Sequence, residues 1–504
     1  MLGGMDASLH TEQGTASIAT RRWTSDSVVW AMIAVFPVVR LLEVVTSRPV
    51  TYPDTKTYRT GKFLDFSLTS LDGRSLRPWG ASVWMALWPS NGAMVAGQVV
   101  LSVLAWIALT LTVAAAIQRP ALRRAIVLLL LVLASTAQVA GWDLALLSES
   151  VSISSGILTL AAAIRFTTRP SWGRAAVFLA AALWFSMTRP NIFPTLLAWA
   201  CALMVIGVLR RQILPWVVVA AALVVFSLYG YVYNVRSDPS WRAHGTVTRT
   251  TVSYAYPVSA YDPVATAVLA DLRKSDAPRC MIPAVPGDVG PNGPTAWVVQ
   301  TAAGCPGMDA WLTANWSRWW EGWLLHHPGQ AFQIVQAELP NALSLPVWTG
   351  VVAAVPNSVS SLYFGSAPLP QSAVPARSYH TEPLLGWLAA VAVLALLGRA
   401  RWRGSPWACD LILLASVVGA SVSVISSTLL IQANGPEVGR ESAGLAVVLT
   451  ASCLALVAFG LDRVSRVGPT IHADSEGARD GPELPLAEAA GHAGSTAGES
   501  AVVD

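Results

Sequence analysis

Long apolar stretches separated by short polar segments dominate the pattern of the chain. Ten stretches of about 20 residues carry almost no charge, and a helix of this length can cross a hydrocarbon layer about 30 Å thick. They lie at approximately 27–46, 92–117, 124–142, 149–166, 174–188, 192–209, 213–235, 383–398, 407–430 and 442–460. The pattern predicts an all-α polytopic membrane protein with about ten transmembrane helices.

The composition agrees with this pattern. Hydrophobic residues make up 54% of the 504 residues and charged residues 12%, whereas soluble domains carry roughly 25% charged residues. So little charge cannot cover the surface of a soluble protein of this size. Glycine and proline show no period, which excludes collagen-like chains, and the recurring apolar runs exclude a fully disordered chain. The formal net charge of +4 forms no long basic run, which argues against nucleic acid as a partner.

Arginines near the ends of the spans predict the orientation of the chain. Those that fall on the side of the N-terminus are Arg119, Arg123, Arg124, Arg165, Arg169, Arg174, Arg210, Arg211, Arg399, Arg401, Arg403, Arg463 and Arg466. The short connections on the other side hold only Arg189 and Arg440. The positive-inside rule therefore predicts cytoplasmic termini, although the long loop 47–91, with six basic residues, goes against it.

This orientation divides the chain into five parts. They are a cytoplasmic N-terminal tail at 1–26, transmembrane helices 1–7 at 27–235 with the external loop 47–91, an extracytoplasmic domain at 236–382, transmembrane helices 8–10 at 383–460, and a cytoplasmic tail at 461–504. The extracytoplasmic domain is expected to be helical or mixed. The last part has eight acidic residues and no periodicity, which is typical of disorder.

Cys280 and Cys305 are the two cysteines that lie outside the predicted spans, and both fall in the extracytoplasmic domain. A pair in an external segment, here 25 residues apart, indicates a disulfide formed in an oxidising compartment. Two unpaired thiols are the alternative.

The segment 311–332 of the same domain is rich in tryptophan and amphipathic at helical spacing. This pattern predicts an interfacial helix whose tryptophans anchor the domain at the membrane surface. His326 and His327 lie in it, but adjacent histidines on a helix point to different faces. A third ligand is not evident, so a metal site is not predicted there.

Ionisable residues in or beside the apolar layer are costly unless they are paired or line a cavity, so they point to function. Those at the external ends of the spans are Arg40, Glu43, Asp54, Asp143, Glu149, Arg189, Glu437, Arg440 and Glu441. Asp410 is the one acidic residue predicted near a cytoplasmic end. Because a transporter would place such groups near the midplane in broken helices, the pattern favours a site open to the outside or to the outer leaflet.

Carboxylates and arginines together suit sugar transfer from a lipid-linked phosphate. A carboxylate can act as general base on an acceptor hydroxyl, and arginines can hold a phosphate leaving group. The alternative is that Arg40 with Glu43, and Glu437 with Arg440, are ion pairs or snorkelling residues at the interface. Asp54 and Glu149 have no cation at helical spacing apart from Lys56, which favours a functional role for these two carboxylates.

Four short motifs follow one another at the predicted external face. They are Asp54-Thr55-Lys56-Thr57-Tyr58, Ser148-Glu149-Ser150 with Asp143 before it, Arg189-Pro190, and Glu437 to Arg440 as Glu-x-x-Arg. In this order they resemble the signatures of the C-type (GT-C) superfamily of polyprenyl-phosphate-sugar-dependent integral membrane glycosyltransferases. The resemblance covers about residues 25–460, and the large external segment is similar to the soluble domain of that superfamily.

The resemblance implies transfer of a sugar from a polyprenyl-phosphate donor to an extracytoplasmic acceptor at the plasma membrane of a bacterium. The acceptor would be an envelope glycan, a lipid or a protein. Asp54 would be the catalytic base, and Glu149 or Asp143 would assist it or orient the acceptor. The residues implied in binding the donor phosphate are Arg189, Arg440, Lys56 and Tyr58.

Two other functions stay open. A flippase or transporter of lipid-linked saccharides would also need arginines for phosphate, but on both sides of a midplane cavity. A polymerase of envelope polysaccharide would share most of the chemistry of a transferase. The one-sided carboxylates and the external domain favour the transferase. The superfamily includes members with and without a divalent cation, so dependence on a divalent cation also stays open.

Overall fold

The computed structural model describes residues 26–46, 49, 55, 79–211, 213–236, 254, 257–258, 262–283, 301, 303–343, 407–431 and 435–464. The helices of eight or more residues in these ranges are α1 Ser27–Thr46, α2 Trp79–Ala86, α3 Asn91–Ala116, α4 Pro120–Ser135, α5 Ser148–Thr168, α6 Trp172–Ser186, α7 Phe193–Arg210, α8 Ile213–Arg236, α9 Asp262–Leu272, α10 Ser317–His326, α11 Pro328–Leu343, α12 Trp407–Ser426 and α13 Gly435–Val464. Among the described residues there is no β-strand. The all-α class predicted from the pattern is therefore confirmed for this part of the chain.

Six helical segments are long and apolar enough to cross a membrane. They are Asn91–Ala116, Ser148–Thr168, Phe193–Arg210, Ile213–Gly230, Trp407–Leu429 and Ser442–Arg463. Helices α1 and α6 contribute shorter apolar segments, Ser27–Leu42 and Trp172–Ser186. The predicted span 383–398 lies outside the described residues. The structure is thus that of an integral membrane protein, with six segments long and apolar enough to span the membrane among the described residues.

The predicted span 124–142 is interrupted in the structure. Helix α4 ends at Ser135, a short helix follows at Ala137–Ala140, and a 3₁₀ turn follows at Gly141–Leu144. The hydroxyl of Ser135 donates to the carbonyl of Leu131, and that of Thr136 donates at 2.7 Å to the carbonyl of Leu133. Such side-chain bonds compete with the helical ladder, and Thr136 is extended, with φ −66° and ψ 149°. Hydrophobicity alone did not reveal this break.

Helices α7 and α12 pack closely along a polar seam. Its hydrogen bonds join Thr195 to Ser423 at 2.9 Å and Trp199 to Ser416 at 2.7 Å. Just beyond the two helices, Asn191 bonds to Ser427 at 2.7 Å. A Cβ added at Gly419 would lie 2.7 Å from the Cα of Thr195, so only glycine allows the backbones this close. Small residues and hydrogen bonds across the contact are the usual means of fixing helices against one another in lipid.

Helices α1 and α13 both reach the N-terminal end of α4. The Asp26 carboxylate accepts hydrogen bonds from Arg124 Nε at 3.1 and 3.2 Å. The Asp462 carboxylate accepts from the backbone amides of Gln118 and Arg119, at 3.3 and 3.1 Å. Amides at a helix N-terminus have no partner within the helix, so Asp462 caps α4. We call this the α4 end of the bundle.

The start of α1 and the last turn of α13 lie at the same end of the bundle, the α4 end. Beside Asp410, which the sequence indicated as the acidic residue near the predicted cytoplasmic ends of the spans, the structure shows Asp26 and Asp462 next to span ends, against arginine side chains and backbone amides. The bundle therefore has charged contacts at both ends.

Residues up to Asp462 form one compact unit, and a second unit begins at Arg463. Of the second unit the structure describes Arg463 and Val464, the last two residues of α13. The remainder of the predicted disordered tail lies outside the described residues, as does residue range 1–25 of the N-terminal tail.

The described part of residues 236–382 is helical and has its own hydrophobic core, and we call it the 236–382 domain. Tyr254, α9, α10 and the short helix Met308–Trp311 contribute to it. Trp316, Trp320 and Trp323 are only 1%, 2% and 4% exposed. The prediction that these tryptophans face the membrane is therefore wrong. Amphipathic spacing identified an apolar face correctly, but the helices of the domain cover that face with protein.

The domain is attached to the end of α12 that lies away from the α4 end. Trp320 donates its indole N–H to the carbonyl of Leu429 at 2.9 Å. Leu339 of α11 packs against the core of the transmembrane bundle. These contacts fix α10 and α11 beside the π-helical turn Ser427–Ile431, which follows α12.

Cys280 and Cys305 form a disulfide, with their Cα atoms 5.4 Å apart. Cys305 is buried in the same core as the tryptophans. Replacing Cys280 with serine is expected to lower the free energy of unfolding of this domain by about 2–4 kcal/mol, because a 25-residue loop is no longer closed in the unfolded chain. Chemical denaturation followed by tryptophan fluorescence measures this loss. Free thiols at both positions in protein isolated under alkylating conditions would contradict the pairing.

Candidate functional site

Three segments of the bundle meet at the end opposite to the α4 end. They are the last part of α1, the turn between α4 and α5, and the turn between α6 and α7, where Pro190–Ile192 forms a 3₁₀ helix. Two buried ion pairs lie where these segments meet. We call this region the opposite-end cluster, and define it by Arg40, Asp143, Glu149 and Arg189.

The first pair joins Arg40 of α1 to Asp143 in the 3₁₀ turn Gly141–Leu144. Arg40 Nη2 lies 2.5 Å from Asp143 Oδ2, and the two side chains are 0% and 3% exposed. Ser150, in the first turn of α5, donates its hydroxyl to Asp143 Oδ1 at 2.5 Å. Burial raises the pKa of the Asp143 carboxyl, while the Arg40 guanidinium and the Ser150 hydroxyl act in the opposite direction. The carboxylate thus holds α1 and α5 together.

The second pair joins Glu149 to Arg189. Arg189 Nη2 lies 2.6 Å from Glu149 Oε1, and both side chains are almost completely buried. Glu149 lies in the first turn of α5, where the helix dipole favours a negative charge. Arg189 precedes Pro190 and is extended, with φ −150° and ψ 143°, as the residue before a proline usually is. The local sequence therefore explains the position of both partners.

A short extended segment connects the two carboxylates along the chain. Ala145 has φ −85° and ψ 132°, and Leu147 has φ −135° and ψ 172°. Two buried side chains bind its carbonyl groups. Gln98 Nε2 of α3 donates to the Ala145 carbonyl at 3.2 Å, and Thr55 Oγ1 donates to the Leu146 carbonyl at 2.8 Å. Buried carbonyls need such donors, so these contacts hold the segment in place.

The structure brings together four of the residues that the sequence singled out, namely Arg40, Asp143, Glu149 and Arg189. The other predicted site residues lie outside the described side chains: Asp54, Lys56, Tyr58, Glu43, Glu437, Arg440 and Glu441. The backbone of Glu437, Arg440 and Glu441 belongs to α13. The predicted roles of these residues therefore stay predictions.

Sequence reasoning missed the partners within the cluster. It grouped Arg40 with Glu43 as a possible interfacial pair, whereas the guanidinium of Arg40 contacts Asp143, which is 103 positions further along the chain. It assigned Arg189 to a donor phosphate without a protein partner. It also overlooked Gln98 and treated Thr55 only as part of a motif. The signal available in the sequence was the collection of both arginines and carboxylates at one predicted face.

The electrostatics of the cluster limit what it can bind. Each buried arginine faces a carboxylate, which balances its charge in a medium that penalises an isolated ion. An anion that approached Arg189 would compete with the carboxylate of Glu149 for the same N–H groups. If it succeeded, the buried Glu149 carboxylate would lose its counter-ion. The arrangement can therefore couple anion binding to release of the Glu149 carboxylate from Arg189.

A second polar group surrounds Asp271 in the 236–382 domain. Its carboxylate contacts Lys274 Nζ at 2.8 Å, His327 Nε2 at 3.2 Å and Trp323 Nε1 at 3.2 Å. The hydrogen bond from Lys274 is the main cause that lowers the pKa of Asp271. Among the described residues, no group of three His, Cys, Asp or Glu side chains is arranged to hold a metal ion. Dependence on a divalent cation remains a question for experiment.

Comparison with protein families and with curated proteins identifies no relative of this chain. No protein-family model matches the chain, and its search against curated proteins gives no significant match.

Proposed function

We propose that this protein is an integral membrane glycosyltransferase that moves a sugar from a polyprenyl-phosphate donor to an extracytoplasmic acceptor. The observation that carries the proposal is the opposite-end cluster, which joins Asp143, Glu149 and Arg189 at one end of the bundle. Thr55, which follows Asp54 directly in the chain, contacts the segment between the two carboxylates. Three of the four motifs that resemble the GT-C superfamily thus contribute a residue to one place.

In this proposal Asp54 takes the proton from the acceptor hydroxyl as that oxygen attacks the sugar. The bond between the sugar and the donor phosphate breaks, and the phosphate leaves with its electron pair. Arg189 and Arg440 bind this phosphate, and Lys56 and Tyr58 belong to the same pocket. Glu149 and Asp143 assist the base or orient the acceptor. Because Arg189 is paired with Glu149, binding of the donor phosphate to Arg189 is coupled to release of the Glu149 carboxylate from the ion pair.

The proposed membrane arrangement follows the sequence pattern. The chain has ten spans, both termini are cytoplasmic, and residues 236–382 lie outside the plasma membrane. Support comes from the two chain ends that meet at the α4 end and from the disulfide in the extracytoplasmic domain, since disulfides persist in oxidising compartments. The opposite-end cluster then faces the external side.

Reporter fusions test this arrangement. A reporter that is active only outside the cytoplasm is expected to be active when it is fused within 240–375 and silent when it is fused after 465. The reason is that an odd number of spans separates the two positions in the proposed topology. Activity at the tail position would overturn the ten-span arrangement and with it the external location of the cluster.

Reconstitution separates a transferase from a carrier. Protein in liposomes is supplied with radiolabelled undecaprenyl-phosphate-linked monosaccharides and with a membrane fraction that contains acceptors. A transferase releases undecaprenyl phosphate without its sugar, which mass spectrometry detects, and the label moves to the acceptor fraction. A carrier leaves the donor intact but exposes its sugar to periodate on the other side of the bilayer. Movement of intact donor without cleavage would replace the proposal with the carrier.

A further inference from the structure

Two large apolar side chains of the 236–382 domain are exposed, and both flank the turn that joins α10 to α11. Leu325, near the end of α10, is 81% exposed, and Phe332, near the start of α11, is 66% exposed. The other Val, Ile, Leu, Met, Phe, Tyr and Trp side chains that the structure describes in this domain are buried or half-buried. The exposed apolar surface of the domain is thus concentrated at one turn.

Helix α11 has two apolar sides that make different contacts. Ile334 is buried in the core of the 236–382 domain, whereas Leu339 packs against the core of the transmembrane bundle. At 3.6 residues per turn these two positions lie about 140° apart around the helix. Phe332 precedes Leu339 by about two turns and so lies on the same side of α11. Phe332 therefore continues the bundle-facing side of α11, about 10 Å along the helix axis from Leu339.

The bundle exposes an apolar surface that reaches the level at which the domain is attached. Helix α12 belongs to a segment that is long and apolar enough to cross a membrane. Ile425, at the far end of this exposed surface, lies two residues before the π-helical turn Ser427–Ile431. Trp320 of α10 binds the Leu429 carbonyl in that turn. The exposed apolar residues of α12 recur at helical spacing and are Leu414, Val418, Val422 and Ile425.

The exposed surface of α11 carries no charge. Among its 16 residues Glu338 alone is charged, and its side chain is only 6% exposed. A helix that covers a soluble domain usually places charged residues on the side that faces water. A charged side chain is costly beside the apolar layer of a membrane, whereas an uncharged surface with a phenylalanine is not. The composition of α11 therefore fits contact with lipid better than contact with water.

We propose that Phe332 inserts into the lipid leaflet at the end of the bundle opposite to the α4 end, so that α11 anchors the 236–382 domain on the membrane. The partner of this surface is the bilayer itself. The tryptophan face of α10 does not serve as the anchor, because the helices of the domain cover it. This inference does not depend on sugar transfer, and its test needs no substrate.

The test measures whether position 332 is in contact with lipid or with water. The exposed free cysteine Cys201 is replaced with serine, Phe332→Cys is introduced, and the apolar fluorophore NBD is attached to it in the full-length protein in nanodiscs. Quenching by nitroxide-labelled lipid is compared with quenching by aqueous iodide. Ala337→Cys is the matched control, because Ala337 is exposed on the same helix, about 140° around the axis from Phe332.

We expect nitroxide-labelled lipid to quench the fluorophore several-fold more strongly at position 332 than at position 337, and iodide to show the opposite preference. Equal quenching by iodide at the two positions would mean that α11 stands away from the membrane, and would overturn the proposal. Protection of position 332 from both quenchers would also overturn it, because protein would then cover Phe332. If that protection is lost on dilution to one chain per nanodisc, the protein that covers it is a second copy of this chain.

A second set of variants tests the anchor without a label. Phe332→Asp places a charge in the proposed lipid contact and is expected to lower the midpoint of thermal unfolding in nanodiscs. Phe332→Leu keeps an apolar side chain and Ala337→Asp places the same charge on the other side of α11, so both are expected to match wild type. If Phe332→Asp is as stable as Ala337→Asp, Phe332 does not contact lipid and the anchor is wrong.

Discussion

Replacing Arg189 with methionine is expected to lower the free energy of unfolding by about 3–5 kcal/mol, which is the usual cost of removing one partner of a buried ion pair. The reason is the position of Glu149, whose side chain is 1% exposed and faces Arg189 Nη2 at 2.6 Å. Without that cation the carboxylate must stay charged in a poorly solvated place or take up a proton. Either event raises the free energy of the folded state and so lowers the free energy of unfolding.

Two control variants make this result interpretable. The double variant with Glu149→Gln and Arg189→Met removes both charges, and is expected to recover a large part of the loss because no ion is left uncompensated. Lys274→Met removes the cation of an exposed pair, since Lys274 is 77% exposed, and is expected to cost less than about 1 kcal/mol.

Stability of each variant is measured as the midpoint of thermal unfolding in detergent, together with chemical denaturation of the purified protein. From the most to the least stable, the expected order is wild type, Lys274→Met, the double variant and Arg189→Met. If Arg189→Met is as stable as Lys274→Met, Glu149 and Arg189 do not form a buried charged pair. The coupling of donor binding to Glu149 would then lose its basis.

Asp54→Asn is expected to lower turnover by about 10²–10⁴-fold, which is the usual contribution of a positioned general base. An unperturbed aspartate has a pKa of about 3.9 and is ionised at neutral pH, so it can accept a proton. Asparagine keeps the size and polarity of the side chain but cannot take up that proton. We therefore expect the variant to fold, insert and bind the polyprenyl-phosphate donor while it transfers sugar slowly.

Asp309→Asn is the control for this experiment, because Asp309 is exposed in the first turn of the short helix Met308–Trp311 of the 236–382 domain. It is expected to transfer sugar at the wild-type rate. If Asp54→Asn also retains that rate while Glu149→Gln is inactive, the base is Glu149. If neither change affects transfer, the transferase proposal fails and the carrier becomes the better explanation.

Most of the helices could be predicted from the order of apolar and polar residues along the chain. Lipid offers no partners for backbone N–H and C=O groups, so a long apolar stretch must form a helix. Nine of the ten predicted spans accordingly overlap a helix, and 383–398 lies outside the described residues. The spacing of Cys280 and Cys305 in an external segment likewise indicated the disulfide that the structure contains.

The groups that cover each side chain could not be predicted from the sequence. Apolar spacing identified the tryptophan face of 311–332, but the same spacing suits contact with lipid and contact with protein. The burial of Trp316, Trp320 and Trp323 depends on α9 and the residues around Tyr254, which are distant in the sequence. Hydrophobicity is non-directional, so it does not say which apolar surface covers another.

The ion pairs show most clearly the difference between what the sequence predicts and what the packing decides. Sequence rules for charge pairing apply to residues three or four positions apart on one helix, and they suggested Arg40 with Glu43. Arg40 instead pairs with Asp143, and Glu149 with Arg189, across 103 and 40 positions. The one-sided location of these charges was readable because burying an ion in lipid is costly. Which cation meets which carboxylate was decided by the packing of α1, α5 and the turn before α7.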